Sequence, residues 1–127
     1  MKHYCFVLLP EYSNLCLFNS LEPLRAANSF IQGSGYRWTL VSIDGQPATS
    51  PSGFDIQPHC SLDQLLDEDK PDALFVLASY NYQRHTTPQV IARLRQARQQ
   101  VGLIGGATQA SAAGLANCAL RAPASHT

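Results

Sequence analysis

The stretch His3-Tyr-Cys-Phe-Val-Leu-Leu9 is a nearly continuous run of apolar, strand-forming residues, and Pro10 closes it. A strand that is apolar along its whole length is typical of a parallel sheet, because helices cover both faces of such a sheet. Residues 73–77 form a second run of this kind, and residues 37–43 and 101–104 predict two more strands. The sequence therefore predicts a sheet built mainly from parallel strands.

Segments with helical spacing separate these strands. Apolar residues recur every three or four positions over residues 17–31, with Ser20 as the predicted N-cap and Pro23 in the first turn. Residues 61–66 predict a short helix, and residues 87–97 predict a longer one. Strands that alternate with helices indicate an α/β fold with a parallel sheet covered on both faces.

Two segments fall outside this alternation. Residues 46–58 are rich in proline, serine and glycine, which predicts a hairpin or an edge strand lying off the main sheet. Residues 107–127 are rich in alanine and contain no aromatic residue. For them we predict a helix over about residues 107–116, followed by a loose tail.

Composition limits the classes of function. A chain of 127 residues predicts one domain, and its zero net charge argues against nucleic-acid binding through this segment. The longest apolar run is far shorter than a membrane span, and no signal peptide is evident, so we expect a cytoplasmic protein without membrane contact. The four cysteines form no C-x-x-C pair and the four histidines show no ligand spacing. We therefore expect no metal and no cofactor.

Chemistry in an open α/β sheet is expected at the carboxyl ends of its strands. Glu11 follows the first strand directly, which makes it a possible general base with a raised pKa; the alternative is a surface turn residue. Ser79 and Tyr80 follow the third strand and could offer N–H groups and a hydroxyl to a ligand, or simply begin a loop. His85 is the only histidine in a loop at that edge, so no Ser-His-Asp set can be assembled.

The last predicted strand runs into a glycine pair in Val101-Gly-Leu-Ile-Gly-Gly-Ala-Thr-Gln109. A strand, a sharp turn and a helix in this order can lift a nucleophile above the edge of a parallel sheet. Ala107 and Thr108 stand where the nucleophile would be, and no base for Thr108 is visible. Cys16, near the start of the first helical region, is the other possible nucleophile, although a thiol packed in the core is the simpler interpretation.

Several segments resemble a known family. They are similar to the N-terminal half of the ThiJ/PfpI, class I glutamine amidotransferase-like domain, and most of all to the variety fused to AraC-type helix-turn-helix modules in bacterial transcription activators. The similarity covers roughly residues 4–106, and Asp72-Ala-Leu-Phe-Val76, His85 and the glycine pair follow in the family's order. The segments are Phe6-Val-Leu-Leu-Pro-Glu-Tyr-Ser13, Leu21-Glu-Pro-Leu-Arg-Ala-Ala-Asn28, Tyr36-Arg-Trp38 and Ser42-Ile-Asp-Gly45.

The resemblance implies a flavodoxin-like three-layer sandwich, usually dimeric, with a mostly parallel sheet. Its catalytic members act on amides, isonitriles or aldehydes with a cysteine on the elbow, helped by an acidic residue near the first strand and a Gly-Gly turn. In its regulator members the same cleft is thought to bind small nitrogenous metabolites such as amino-acid or betaine derivatives, and the attached module binds DNA.

The sequence departs from the catalytic pattern at three places. Ala107-Thr108 replaces the elbow cysteine, Cys16 falls on the acidic position of the isonitrile-hydratase-like members, and Ala78-Ser79 replaces the Gly-Gly after the third strand. Without a nucleophile a covalent mechanism fails. The candidates for ligand binding are therefore Glu11, Cys16, Ser79, Tyr80, Ala107 and Thr108.

The resemblance also stops short of the family's full domain. We expect residues 1–106 to be a partial domain that lacks the C-terminal strands, through truncation or a frameshift after Gly106. The leading hypothesis is a non-catalytic, small-molecule-sensing domain of an AraC-type regulator, or its remnant, forming a homodimer. One alternative is a hydrolase or hydratase of the same superfamily with Cys16 or Thr108 as nucleophile. Another is a purely structural or dimerisation module.

Overall fold

The computed structural model describes residues 1–33, 35–77, 79–101 and 103–107 of the chain. Strands and helices alternate along most of this length. In chain order the elements are β1 (Lys2–Leu8), α1 (Asn14–Asn28), β2 (Tyr36–Ser42), β3 (Ala48–Thr49), β4 (Asp55–Ile56), β5 (Cys60–Ser61), α2 (Leu62–Glu68), β6 (Ala73–Leu77), α3 (Tyr82–His85), α4 (Pro88–Gln100) and β7 (Leu103–Ala107).

The main sheet has five parallel strands in the order β5-β2-β1-β6-β7. The strand order reverses at β1, because the chain first adds β2 on one side of it and later adds β6 on the other. Strands β3 and β4 pair antiparallel in a separate hairpin. The predicted α/β class and parallel sheet are confirmed, and the hairpin lies off the main sheet as expected.

Helices cover both faces of the sheet. On one face Phe6 of β1 packs in a buried cluster with Leu24 of α1. On the other face Val7 joins a second cluster with Leu62 of α2 and Ala97 of α4. Since successive strand residues point to opposite faces, the apolar stretch of β1 from Tyr4 to Leu8 supplies both cores, and the molecule has the predicted three-layer sandwich.

Helix α1 begins earlier than the sequence predicted. Ser13, not Ser20, is the N-cap, and its Oγ accepts a hydrogen bond from the backbone N of Cys16 at 3.2 Å. Ser20 is buried inside the helix and donates its hydroxyl to the Cys16 carbonyl at 2.7 Å. Starting at Ser13 places Leu17 in the helix and in the core, so burial decided between the two serines. Pro23 therefore lies in the helix interior and not in its first turn.

The glycine pair does not form the predicted turn. Gly105 and Gly106 lie within β7, opposite Phe75 and Val76 of β6, and the pairing continues to Ala107 opposite Leu77. Strand pairing in the sheet overrides the weak strand preference of glycine. Ala107, predicted to begin a helix, is thus the last residue of a strand. Residues 108–127, which carry the rest of the predicted helix and tail, lie outside the described residues.

Two other helix starts were predicted correctly. The Ser61 hydroxyl caps α2 by accepting from the backbone N of Gln64 at 3.2 Å. Thr87 caps α4 by accepting from the backbone N of Val90 at 3.3 Å, with Pro88 at the first helical position. The short elements β5 and α3 were not predicted, because two and four residues are too few for a periodic pattern to show.

Candidate functional site

A pocket of about 300 Å³ opens at the carboxyl end of the sheet, where the strand order reverses. Ligands of open α/β sheets bind in this crevice. Its apolar lining comes mainly from the ends of β1 and β2 and from the start of α4. The apolar residues are Leu8, Leu9, Pro10, Ile43, Pro47, Ala48 and Val90, and the polar ones are Ser42, Asp44, Gln46, Arg84, His85 and Thr87.

Glu11, the first predicted site residue, lies beside this pocket in an unusual backbone conformation. Its φ angle is +62°, which is uncommon for a residue with a side chain. Two backbone hydrogen bonds hold it there: its N–H donates to the Thr49 carbonyl at 2.9 Å, and its carbonyl accepts from the Tyr80 N–H at 2.9 Å. Backbone strain of this kind persists only where the surroundings impose it, and it is concentrated at functional sites.

The Glu11 carboxylate binds two side chains of the segment that follows β6. His85 Nε2 lies 2.7 Å from its Oε2, and Asn81 Nδ2 donates to its Oε1 at 3.1 Å. The hydrogen bonds from His85 and then Asn81 lower the pKa of Glu11, outweighing the opposing effect of desolvation. The predicted rise in its pKa is therefore wrong, and Glu11 is a charged anchor at neutral pH.

His85 is the member of this group that reaches the pocket. Its side chain is 17% exposed and lines the cavity. When the imidazole is neutral, donation of Nε2–H to Glu11 leaves Nδ1 as a hydrogen-bond acceptor. The Glu11 carboxylate thus fixes the orientation of a ring that a ligand can contact.

Asn81 was missed by the sequence analysis. Its φ angle is +56°, so Glu11 and its partner Asn81 both occupy the left-handed region. Asparagine tolerates this conformation better than most residues. An asparagine just before a short polar segment at the carboxyl edge was the available signal, and only the fold shows that this segment returns to the end of β1.

Ser79 and Tyr80 attach the same segment to β1 and are not aimed at the pocket. The Ser79 hydroxyl donates to the Pro10 carbonyl, and Ser79 forms an isolated β-bridge with Tyr12. The Tyr80 N–H is occupied by Glu11, while its ring is 48% exposed. Two of the groups that the sequence assigned to a ligand, the Ser79 hydroxyl and the Tyr80 N–H, are thus bonded to Pro10 and Glu11 at the end of β1.

The other predicted site residues are not brought to the pocket by the described part of the chain. Cys16 has no exposed surface and belongs to the core between α1 and the sheet. Contact between a ligand and this thiol would require the core to open. Ala107 ends β7, whereas Thr108, and also Ala78 of the altered Gly-Gly position, lie outside the described residues.

Two opposite charges on the pocket lining were also missed. Asp44 follows β2 and accepts the backbone N–H of Gln46 at 3.0 Å. Arg84 lies in α3, close enough to Glu11 to contribute to the lowering of its pKa. Within the described residues neither Asp44 nor the Arg84 guanidinium forms an ion pair. Asp44 looked like an ordinary turn residue in the sequence, and only the topology places it beside Arg84's segment.

Neither a metal site nor a membrane helix is found in the described ranges. No three His, Cys, Asp or Glu side chains among these residues cluster in a way that could hold a metal ion. Within the same ranges no helix has the length and apolar character needed to cross a bilayer.

The chain is similar to known proteins both in sequence and in structure. No protein-family model matches the chain. It is 33% identical over 105 residues to the HTH-type transcriptional regulator CdhR of Pseudomonas aeruginosa, a match that covers 83% of this chain and 30% of the regulator. The chain thus spans about 30% of the length of this curated relative.

Solved structures show the same fold. An AraC family transcriptional regulator from Pseudomonas putida superposes with a TM-score of 0.74 at 18% identity, over 95% of this chain and 90% of that one. A ThiJ/PfpI family protein from Pseudomonas syringae gives 0.62 at 13% identity, over 83% of this chain and 41% of that one. The expected resemblance to the ThiJ/PfpI fold and to AraC-type regulators is confirmed.

Proposed function

We propose that this chain is a non-catalytic, ligand-sensing domain of an AraC-type transcription regulator, and that its pocket binds a small nitrogenous metabolite. The observation that carries the proposal is the pocket at the sheet's reversal point, lined by the opposite charges of Asp44 and Arg84, neither of which forms an ion pair among the described residues. The similarity to an HTH-type transcriptional regulator supports the regulatory part of the proposal.

The size and lining of the pocket suit a small metabolite. Its volume of about 300 Å³ is at the lower end of the range for small-molecule sites. It is about twice the ~150 Å³ cavity that holds benzene in an engineered protein core. Mostly apolar walls with a few convergent polar groups are the usual composition of such a site. A basic nitrogen would be attracted by Asp44, and an acidic group by Arg84.

The buried state of Cys16 supports binding over covalent catalysis. A hydrolase or hydratase of this superfamily needs a nucleophile that reaches its substrate, and Cys16 has no exposed surface. One observation favours the enzymatic alternative, namely the 2.7 Å contact between His85 and Glu11, which resembles an acid–base pair. In our proposal this pair orients the imidazole toward the ligand.

Three further parts of the proposal concern the whole protein. We expect a cytoplasmic homodimer, with DNA bound by a module other than this segment. The zero net charge supports the last point, because the chain as a whole has no excess of positive charge to attract phosphate.

Thermal unfolding in the presence of metabolites tests the sensing proposal. Amino acids, betaines and polyamines would be screened individually. A ligand at a hundred times its Kd stabilises the folded state by about 2.7 kcal/mol, which corresponds to a Tm rise on the order of 5–10 °C. Arg84→Gln should reduce the shift, whereas Arg95→Gln, on an exposed position of α4, should preserve it. A screen in which no compound raises the Tm contradicts the proposal and favours a purely structural module.

Thiol alkylation separates the sensor from the enzyme. We expect iodoacetamide at neutral pH to modify Cys16 slowly, because its thiol is buried. Rapid and selective labelling of Cys16 would support the enzymatic alternative. Denatured protein, in which all four cysteines should react, provides the control for reagent quality.

A further inference from the structure

Both hydrogen bonds that the Asp44 carboxylate accepts from the described residues go to the same oxygen. Its Oδ1 accepts from the Gln46 N–H at 3.0 Å and lies 3.5 Å from the donating Ser42 hydroxyl. Within the described residues its Oδ2 has no hydrogen-bond partner. A carboxylate oxygen is only an acceptor, and it binds charged N–H donors most strongly. The pocket lining therefore presents a vacant acceptor with a negative charge.

Arg84 approaches the pocket from another part of the sheet. Asp44 follows β2 and Arg84 belongs to the segment after β6, and these two strands flank β1. Neighbouring strands lie about 4.8 Å apart, so the two strands that lead to the charges are separated by about 10 Å. The guanidinium has only hydrogen-bond donors, and their planar arrangement matches the two oxygens of a carboxylate. The pocket is thus arranged for a ligand with a positive group at one end and a negative group at the other.

No Phe, Tyr or Trp side chain among the described residues lines this pocket. Residues 108–127 contain no Phe, Tyr or Trp either. Quaternary ammonium groups have no N–H to donate, and proteins recognise them chiefly by cation–π contact with aromatic rings. An ammonium that keeps N–H bonds can instead donate to the Asp44 carboxylate and to His85 Nδ1.

We infer that Asp44 makes the pocket selective for an ammonium group that retains N–H bonds, with Arg84 binding the ligand's anionic end. The ligand is then an amino acid or a similar amphoteric amine, and not a betaine. This inference rests on the proposed function, since it assigns the ligand class of the same pocket.

Isothermal titration calorimetry of the full chain with matched pairs tests the inference. The amines are glycine, β-alanine, 4-aminobutyrate and 5-aminopentanoate, each paired with its N-trimethyl derivative. A hydrogen bond to a charged group contributes about 1.5–3 kcal/mol. We therefore expect the best amine to bind about 10- to 100-fold more tightly than its trimethyl partner.

Two variants locate the selectivity. Asp44→Asn keeps Oδ1 as the acceptor for the Gln46 N–H but removes the charge, and it should reduce the preference to within about threefold. Arg84→Gln should weaken both members of each pair to the same extent and leave their ratio unchanged.

The possible failures are distinguishable. If the trimethyl compounds bind as tightly as the amines, or if Asp44→Asn keeps the full preference, the inference is overturned and the sensing proposal stands. If no amine and no trimethyl compound binds, the inference is overturned together with the proposed function.

Discussion

Two histidines at opposite ends of the sheet illustrate how position changes the role of the same side chain. His3 lies at the amino end of β1 and is 2% exposed; its Nε2 is 2.7 Å from the Thr39 hydroxyl. Its Nδ1 is buried with no hydrogen-bond partner among the described residues, and Asp69 Oδ1 is 3.8 Å away. His85, at the carboxyl end, is 17% exposed and bonds Glu11 at 2.7 Å.

The surroundings of the two histidines differ in charge and in backbone strain. Burial, and then the nearby Arg37 charge, lower the pKa of His3, although Asp69 and Asp72 oppose this. At the carboxyl end the group with the shifted pKa is the Glu11 carboxylate, because its hydrogen bonds lower that pKa. Only the carboxyl-end group contains left-handed residues other than glycine within the described ranges. We infer that His3 and its neighbours Thr39 and Asp69 (the amino-end group) maintain the fold. His85 with Glu11 and Asn81 (the carboxyl-end group) maintains the pocket.

The largest expected effect is the loss of stability in His3→Ala. The substitution leaves a cavity at a buried position and removes the hydrogen bond to Thr39. The free energy of unfolding should fall by about 2–3 kcal/mol. Urea unfolding followed by circular dichroism measures this change. His85→Ala should cost clearly less stability while abolishing ligand binding. Equal losses of unfolding free energy in the two variants would contradict the proposal that His3 serves the fold and His85 serves the pocket.

The second prediction concerns the pH dependence of stability, and the expected effect is smaller than that of His3→Ala. Because the pKa of folded His3 lies below its ordinary value of 6.5, the unfolded chain takes up this proton first. The contribution of His3 to stability is therefore complete above about pH 6.5 and is lost as the pH falls through the folded-state pKa. Urea unfolding at pH 7.5 and pH 5.5 should show this loss, and His3→Gln should reduce it.

The carboxyl end should respond in a lower pH range. The lowered pKa of Glu11 means that its contribution is present above its ordinary value of 4.5 and is lost as the pH falls through the folded-state pKa. A decline below pH 4.5 that persists in His3→Gln and shrinks in Glu11→Gln would assign the upper pH range to His3 and the lower one to Glu11. A decline below pH 4.5 that shrinks in His3→Gln and persists in Glu11→Gln would contradict this assignment.

The next prediction concerns local opening of the segment beside the pocket. Glu11→Gln removes the charge that holds Asn81 and His85, so the segment after β6 should open more often. Limited trypsin digestion after Arg84 should then be a few times faster, because cleavage follows local opening. Glu22→Gln, in an exposed pair with Arg25 on α1, is the matched control. If both variants are cleaved at the wild-type rate, Glu11 does not hold this segment.

The smallest expected effect is that of Arg37→Gln on stability. Arg37 forms two hydrogen bonds with Asp69, at 2.8 and 2.9 Å, but both side chains are nearly half exposed. Exposed ion pairs contribute little, so the Tm at pH 7.5 should change by about 1–2 °C or less. Loss of this charge should raise the pKa of His3 toward its ordinary value and so weaken the decline between pH 7.5 and 5.5. A larger Tm change would mean that the amino-end group depends on this pair.

The fold was largely predictable because burial and hydrogen bonding act locally on it. The apolar run of β1 can be recognised from consecutive residues. The helix caps at Ser61 and Thr87 can likewise be recognised from the residues that follow them. The start of α1 was mispredicted because Ser13 and Ser20 can both cap, and only packing on the sheet decides between them. The strand through Gly105 and Gly106 likewise depends on β6, thirty residues away.

The site was predictable only in part, because it joins residues far apart in the sequence. Glu11 was found from its position after a buried strand. Its partners Asn81 and His85 lie seventy or more residues later, and Asp44 and Arg84 meet at one pocket only through the strand order. The sign of the Glu11 pKa shift depends on those distant partners, so the sequence alone could not provide it.

The in-register pairing of β1 with both of its neighbours limits how its length can evolve. Seven residues of β1 pair with β2 and four of the same residues pair with β6. Inserting or deleting one residue there would exchange Phe6 and Val7 between the two faces and so disturb both cores at once. The same shift would displace Glu11 from its hydrogen bonds. Homologous chains should therefore vary in the side chains of β1 while keeping the distance from its first residue to the glutamate constant.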